Sequence, residues 1–433
     1  MTPAQHQQYL NLNVRGLPVS ATLGINEASN RLIAEGRSIC KLGLGQSPFP
    51  VPDIVVDALR ANAGQKDYLP VRGLTELREA VAGYYRARQG LVLSAEDVII
   101  GPGSKELMFI LQLVYYGDLL IPAPSWVSYA PQARIIGRHV HWLPTSAENR
   151  WLLTAEDLEK FCAPDPERPR IIILNYPNNP TGCSYSVEQM RELAEVARRY
   201  RIILLSDEIY GELRFDGQHQ SIARYYPEGT IVASGLSKWA GAGGWRLGTF
   251  AFPPELKWLR EAMAVVASET FTATSAPIQY AAVSAFRDID QLEEYLRGSR
   301  LILGRLAEWI GERFAETGIE FAEPDGGFYM LPDFSRFKVK LHSKGIATGE
   351  QLATRILEET GVAFLPGSSF GRPAEELTAR IAFVDFDGKA ALNHVNSGQL
   401  QELSEADLLS CCAPVMRGIE LLCAWFAALD QEA

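Results

Sequence analysis

The sequence predicts an α/β protein: a large unit with a mostly parallel central sheet, joined to a smaller α+β unit. Three observations carry this. Short β-branched runs alternate with helical patterns through the middle of the chain, the mark of βαβ units. Two of those runs, IIIL and IILL, are apolar at every position, as strands covered by helices on both faces are. The C-terminal third changes character, with long helical patterns around short strand candidates. At 433 residues the chain is too long for one simple core and long enough for two.

Taken in order, strands are expected at 97–101, 117–121, 170–175, 201–207, 230–235 and 249–252. The helix SVEQMRELAEVARRY lies between the third and fourth, and Ser186 followed by Gln189 supplies a capping box at its start. A glycine–serine turn, Gly103-Ser104-Lys105, opens the helix KELMFILQLVYY. Further on, helices are expected at 291–317, 348–360 and 404–431, with short strands at 327–331 and 380–383. The division that follows is a large unit over 58–299 and a smaller one from 1–57 and 300–433. There are no repeats, low-complexity tracts or long linkers.

Composition narrows the function classes. Hydrophobic residues make up 47% and charged residues 21%, the balance of a soluble globular protein. Apolar stretches such as 108–114 fall far short of the ~20 residues a membrane span needs. The start, MTPAQHQQYLNLNVRG, lacks the basic-then-apolar order of a secretory signal. Six cysteines at irregular positions form no CxxC pair, so a reducing cytoplasm is expected, with no metal site. A formal charge of −11 argues against a nucleic-acid surface, which needs clustered positive charge.

Ligands of open α/β sheets bind beyond the carboxyl ends of the strands. Several polar residues fall there. Asn179 follows the strand ending near Asn175, Asp207 and Tyr210 end IILLSDEIY, Lys238 follows IVASGLS, and Arg246 closes the glycine-rich turn after it. With the Gly103-Ser104-Lys105 turn, one rim gathers an amine, a carboxylate, a phenol, an amide, a guanidinium and a helix N-terminus. That is the outline of a site for a phosphorylated, nitrogen-containing cofactor. Singly, each piece has a plainer reading: a surface lysine, an NPTG turn, a GPGS helix cap. Their joint placement at strand ends favours the site.

The motifs LGLGQSPFPVP, DYLPVRGLTELREAV, GPGSKEL, PAPSWVSY, NYPNNPTG, SDEIY, SGLSKWAGAGGWRLG, GGFY and ARIAF resemble those of the aspartate/tyrosine aminotransferase superfamily, class I and II aminotransferases of pyridoxal-phosphate fold type I. The resemblance covers most of the chain and thins beyond about residue 385. It implies pyridoxal 5'-phosphate as cofactor, carried covalently by Lys238, whose freed amine then moves a proton at the substrate's Cα. It implies Asp207 against the pyridine nitrogen, Tyr210 and Asn179 on the ring's 3′ oxygen, and Trp126 stacked on the ring. Backbone N–H groups of Gly103, Ser104 and Lys105, with Arg246 and Ser237, would hold the phosphate. The family often has a serine or threonine where this chain has Gly235. Arg380 would fork onto the substrate's α-carboxylate, with the backbone near Gly45 opposite. Trp126 and Asn179 would also meet substrate, and Tyr68 would reach across a homodimer interface to the partner's phosphate, so that the active sites are shared.

The activity implied is transamination between an L-amino acid and a 2-oxo acid. A β-lyase or an aminocyclopropane-carboxylate-synthase-like enzyme shares the fold and motifs, since fold alone does not choose a reaction. A PLP-binding regulatory module is a further alternative, against which stands the absence of a preceding basic domain. For the donor, the stretch VASETFTATSAP lacks the arginine with which one branch of aspartate enzymes holds the side-chain carboxylate. Another branch uses a lysine just after the phosphate-binding glycines, and Lys105 stands there. An aspartate or glutamate type of donor is therefore expected, with aromatic and alanine types as alternatives.

Overall fold

The structure is a computed structural model that describes residues 9–431. The first eight residues of the N-terminal stretch read above lie outside the described residues. In chain order the strands are β1 (Cys40–Lys41), β2 (Val98–Gly101), β3 (Asp118–Ala123), β4 (Val140–Pro144), β5 (Arg170–Asn175), β6 (Ile203–Asp207), β7 (Thr230–Gly235), β8 (Gly248–Ala251), β9 (Tyr329–Met330), β10 (Val362–Ala363), β11 (Leu365–Pro366) and β12 (Ala379–Ala382).

Seven of them form the central sheet, in the order β2-β8-β7-β6-β5-β3-β4. The pairs β4–β3, β3–β5, β5–β6 and β6–β7 are parallel, and only β8 runs against its neighbours. Every residue of β5, β6 and β7 is buried, which is why the middle of β5 and the start of β6 read as the apolar runs IIIL and IILL. Strand β4 has no counterpart among the expected strands. It is an edge strand with a partly exposed face, so VHWLP shows no apolar run. Helices cover both faces; one is Val187–Arg199, where Ser186 and Gln189 close the expected capping box.

The C-terminal third holds a small antiparallel sheet, β11-β12-β9. Strand β12 begins one residue before the expected 380–383, while β9 is shorter than the expected 327–331, because Gly327 adopts a positive φ just before it and the chain leaves the ladder at Leu331. The N-terminal segment joins this part: β1 pairs in parallel with β10, and the Ala382 N–H donates to Leu42 O at 2.8 Å.

The last helix, Glu405–Gln431, bends around Cys412, two residues before Pro414, whose ring removes a helix hydrogen bond. By length and composition it is apolar enough to cross a membrane, contrary to the expectation from sequence that no stretch is. It nevertheless buries Leu408, Val415, Ile419, Leu422 and Phe426, and Phe426 stacks on Phe334 with ring centroids 4.5 Å apart. Its apolar stripe is core.

Candidate active site

Parallel strands deliver their carboxyl ends to one rim, and the antiparallel β8 delivers its start there. This is why residues following β5, β6 and β7 meet Arg246, which precedes β8. Register aligns the rim: Asn175 pairs with Asp207 and Asp207 with Ala233, while Gly248 lies between Gly235 and Gly101. The rim floors a cavity of about 340 Å³ whose wall includes Gly45, Ser104, Lys105, Trp126, Asn179, Asp207, Tyr210, Ser237, Lys238 and Arg246. The structure thus brings together ten of the thirteen residues singled out from sequence.

The other three sit differently. Gly103 stands behind the wall, and its N–H is donated to Gly101 O at 2.7 Å. Only Ser104 and Lys105 therefore present the helix Ser104–Val114 to the cavity. What Gly103 provides is space, since a Cβ there would lie 2.3 Å from Arg246 Nη2. Arg380 lies one layer back, 1% exposed, with Nη1 donating to Asn179 Oδ1 at 3.1 Å and Nη2 to Gly43 O. Its guanidinium rests between the rings of Tyr329 and Phe370, 4.6 and 4.9 Å from their centroids. Tyr68 is 93% exposed and is not among the residues that line its own chain's cavity.

Gly235, where relatives of the family pattern carry a hydroxyl, is sterically required here. A Cβ would meet Leu247 O at 2.5 Å. Gly248 is tighter still, since its Cβ would fall 2.0 Å from Ser104 N.

Burial sets the electrostatics. Asp207 is pushed up to about 6, first by desolvation, against which the hydrogen bond from Tyr129 works. Lys238 is pushed down to about 8, first by desolvation and then by the charge of Arg380. Its Nζ donates to Gly45 O at 3.0 Å. Lys105 lies 4.9 Å from the Trp126 ring centroid and is also lowered by burial and by Arg246. Burial raises the Tyr210 phenol well above its usual range, so it stays a neutral donor.

Three residues of the site escape the sequence reading. Tyr129 donates to Asp207 Oδ2 at 2.5 Å and meets Trp126 edge to face at 5.2 Å. Asn175 donates through Nδ2 to Asp207 O at 2.8 Å and accepts the Asn179 N–H on Oδ1 at 2.7 Å. Tyr329 places its hydroxyl 3.0 Å from that of Tyr210. Each lies in a motif quoted above, PAPSWVSY, NYPNNPTG or GGFY, and that was the available signal.

A doubly wound sheet with a second, smaller sheet closing over its carboxyl ends, and a lysine amine between them, is the architecture of fold-type I PLP enzymes. The family model for aminotransferase class I and II matches residues 37–385, and the chain belongs to that family. It is a PLP-dependent aminotransferase and catalyses transamination. Among similar proteins, an aspartate aminotransferase of Bacillus sp. (strain YM-2) is 31% identical over 386 residues, 87% of this chain and 95% of the relative. A probable aspartate/prephenate aminotransferase of Thermus aquaticus is 33% identical over 366 residues, 83% and 92% of the two chains. The aspartate aminotransferase of Thermus thermophilus with maleate superposes with a TM-score of 0.80 at 28% identity, covering 95% of this chain and 99% of that one.

Proposed function

We propose that pyridoxal phosphate binds in this cavity with Lys238 as its point of covalent attachment, and that the amino donor is a dicarboxylic acid such as aspartate or glutamate. The observation that carries the reading is a charge deficit. Lys105, Lys238, Arg246 and Arg380 surround one cavity, and among the described residues none of them is in an ion pair with a carboxylate. Among the described residues, Asp207 is the single acid in the wall. Arg380 is buried, and desolvation lowers Lys238 and Lys105, so without counterions these cations call for anions. With Lys238 taken up by the cofactor, a phosphate and two carboxylates match the three cations that remain.

The donor set fits the cofactor. Arg246, Ser237 and the start of the helix Ser104–Val114 suit a phosphate dianion. Asp207, buried and ionised above about pH 6, lacks a cationic partner, which a ring nitrogen would be. Tyr210 and the Nδ2 of Asn179 remain as donors to the ring oxygen, and Trp126 offers a ring face once Lys105 moves aside. When bound, the cofactor supplies an electron-withdrawing ring that stabilises negative charge at the substrate's Cα.

The chain's residues do the rest. Lys238, with its amine lowered to about 8, is partly uncharged near neutral pH and serves first as nucleophile, then as carrier of the Cα proton. Arg380, released from Asn179 Oδ1 and Gly43 O, clamps the α-carboxylate in two parallel bonds, with Gly45 on the other side. Lys105 takes the side-chain carboxylate; aspartate as donor and maleate as ligand of the named relatives support this.

The same reading includes a homodimer in which Tyr68 reaches the partner's cavity, a role suited to a tyrosine so exposed in its own chain. It also includes a large unit over 58–299 with the remainder as the small one, and a cytoplasmic setting, which six free cysteines favour.

A donor panel tests the proposal. Aspartate or glutamate should convert the cofactor's absorbance stoichiometrically to that of its amine form. Arg380→Lys should cut kcat/KM for every donor by about ten- to a hundredfold, the cost of a bidentate charged contact. Lys105→Ala should raise KM for aspartate about tenfold while sparing an aromatic donor. Equal losses for both donor types would make Lys105 a phosphate ligand and remove the acidic preference.

A further inference from the structure

Tyr329, from GGFY, is 2% exposed and stands where the small sheet meets the rim of the large one. The β12–β9 register sets Ala382 opposite Tyr329, so Arg380, two residues along β12, shares its face. The guanidinium lies 4.6 Å from the Tyr329 ring centroid. The hydroxyl, meanwhile, is 3.0 Å from the Tyr210 hydroxyl and donates to Gly45 O at 3.4 Å. Gly45 O also accepts from Lys238 Nζ, at 3.0 Å. One side chain therefore touches the phenol on the cofactor side and the arginine on the substrate side. Its bulk is also fitted to the place, because a Cβ on Gly45 would lie 1.9 Å from its oxygen.

We infer that Tyr329 is a positioning residue that directs the Tyr210 proton toward the cofactor and supports the Arg380 guanidinium beside the place where it takes the carboxylate. This rests on the roles proposed above for Tyr210 and Arg380.

The count of protons gives the reason. Each phenol has one proton and accepts through its oxygen. With no acceptor in the cavity, Tyr210 donates to Tyr329, and Tyr329 donates to Gly45 O. Once Tyr210 turns its proton to a ligand oxygen, Tyr329 reverses and donates to Tyr210, giving up its long contact to Gly45 O. No buried hydroxyl is orphaned in either state. A phenol that accepts one hydrogen bond is a stronger donor in the next, so the reversed state strengthens Tyr210's hold on the ligand oxygen. The charged groups around the two phenols are Arg380 from β12, Asp207 from β6 and Lys238 from the loop after β7, and Arg380 and Asp207 act on Tyr210 in opposite directions. The aromatic ring acts separately from the hydroxyl, its face being the platform on which an arginine without a carboxylate partner is desolvated.

The two roles come apart in two variants of the cofactor-loaded protein. The readouts are the pH midpoint of the cofactor's visible absorbance band and the Kd for succinate, an unreactive dicarboxylate, by calorimetry. Tyr329→Phe keeps the ring and removes the hydroxyl. It should raise the midpoint by roughly half to one pH unit, because a weaker Tyr210 donor leaves more charge on the ring oxygen and the neighbouring proton is held more tightly. Its succinate Kd should stay within about twofold of wild type. Tyr329→Leu should add a loss of succinate affinity of at least about fivefold. An unmoved midpoint in Tyr329→Phe overturns the proton-directing role, and if Tyr329→Leu fails to fold that measurement decides alone. A Tyr329→Leu that binds succinate as tightly as Tyr329→Phe overturns the platform role. Arg380→Lys is the control for the site itself. If it binds succinate as wild type does, the assignment of Arg380 fails; if it binds weakly while both Tyr329 variants match wild type, only the inference fails.

Discussion

Asp207 has one strong partner, Tyr129, and one long backbone contact from the Ile209 N–H at 3.3 Å. That is too little to compensate a carboxylate 3% exposed, and its pKa rises to about 6 in consequence. The sign of the stability effect follows. An acid whose folded value lies above its unfolded 3.8 holds its proton more tightly when folded. Stability is therefore lost as pH rises from about 4 to about 6, and the deficit persists above that. In cofactor-free protein, Asp207→Asn should lack this fall and be more stable than wild type at pH 8, by about 1–3 kcal/mol in urea unfolding. A variant less stable than wild type at pH 8 would show that the ionised carboxylate is well satisfied without a cofactor. Asp207 itself is legible in sequence, as the last residue of an apolar strand. Tyr129 is not, because only the path of the chain after β3 turns that hydroxyl toward β6. Arg380 is legible as an arginine but not in its packing, since its aromatic neighbours come from β9 and from the turn at 367–370.

Between strands and helices, the site depends on how closely β8 passes under the start of the helix Ser104–Val114. Gly101 and Gly235 flank Gly248 in the sheet, and the helix backbone sits directly on it. A methyl group at Gly248 would contact backbone rather than a flexible side chain, so the helix start must move. Gly248→Ala should weaken phosphate-bearing cofactor by at least about tenfold in calorimetry, while pyridoxal without phosphate loses much less. Equal losses for the two would place the damage elsewhere than the phosphate cradle. The central strands could be read from sequence because burial on both faces writes itself as continuous apolar residues. Strand β4 could not, being an edge with mixed exposure, and β9 and β12 are so short that their register, which matters for Arg380 and Tyr329, exists only in three dimensions.

At the scale of the whole molecule, the two parts of the chain divide the chemistry between them. The central sheet supplies Asp207, Tyr210, Lys238 and Arg246, while β1, β9 and β12 with their flanking turns bring Gly45, Tyr329 and Arg380 over its rim. Tyr68 stays exposed in its own chain and lines no part of its cavity. This division has meaning only if the amine at the centre is the one that holds the cofactor. Of the basic groups in the wall, Lys238 is the one that desolvation and Arg380 bring near neutrality, whereas Lys105 lies over Trp126 at the rim. Borohydride reduction of the pyridoxal-phosphate-saturated protein, followed by peptide mapping, measures this directly. The expected result is one label per chain, on Lys238, and none in Lys238→Ala. A label on Lys105 or any other lysine, or none in saturated protein, would contradict it.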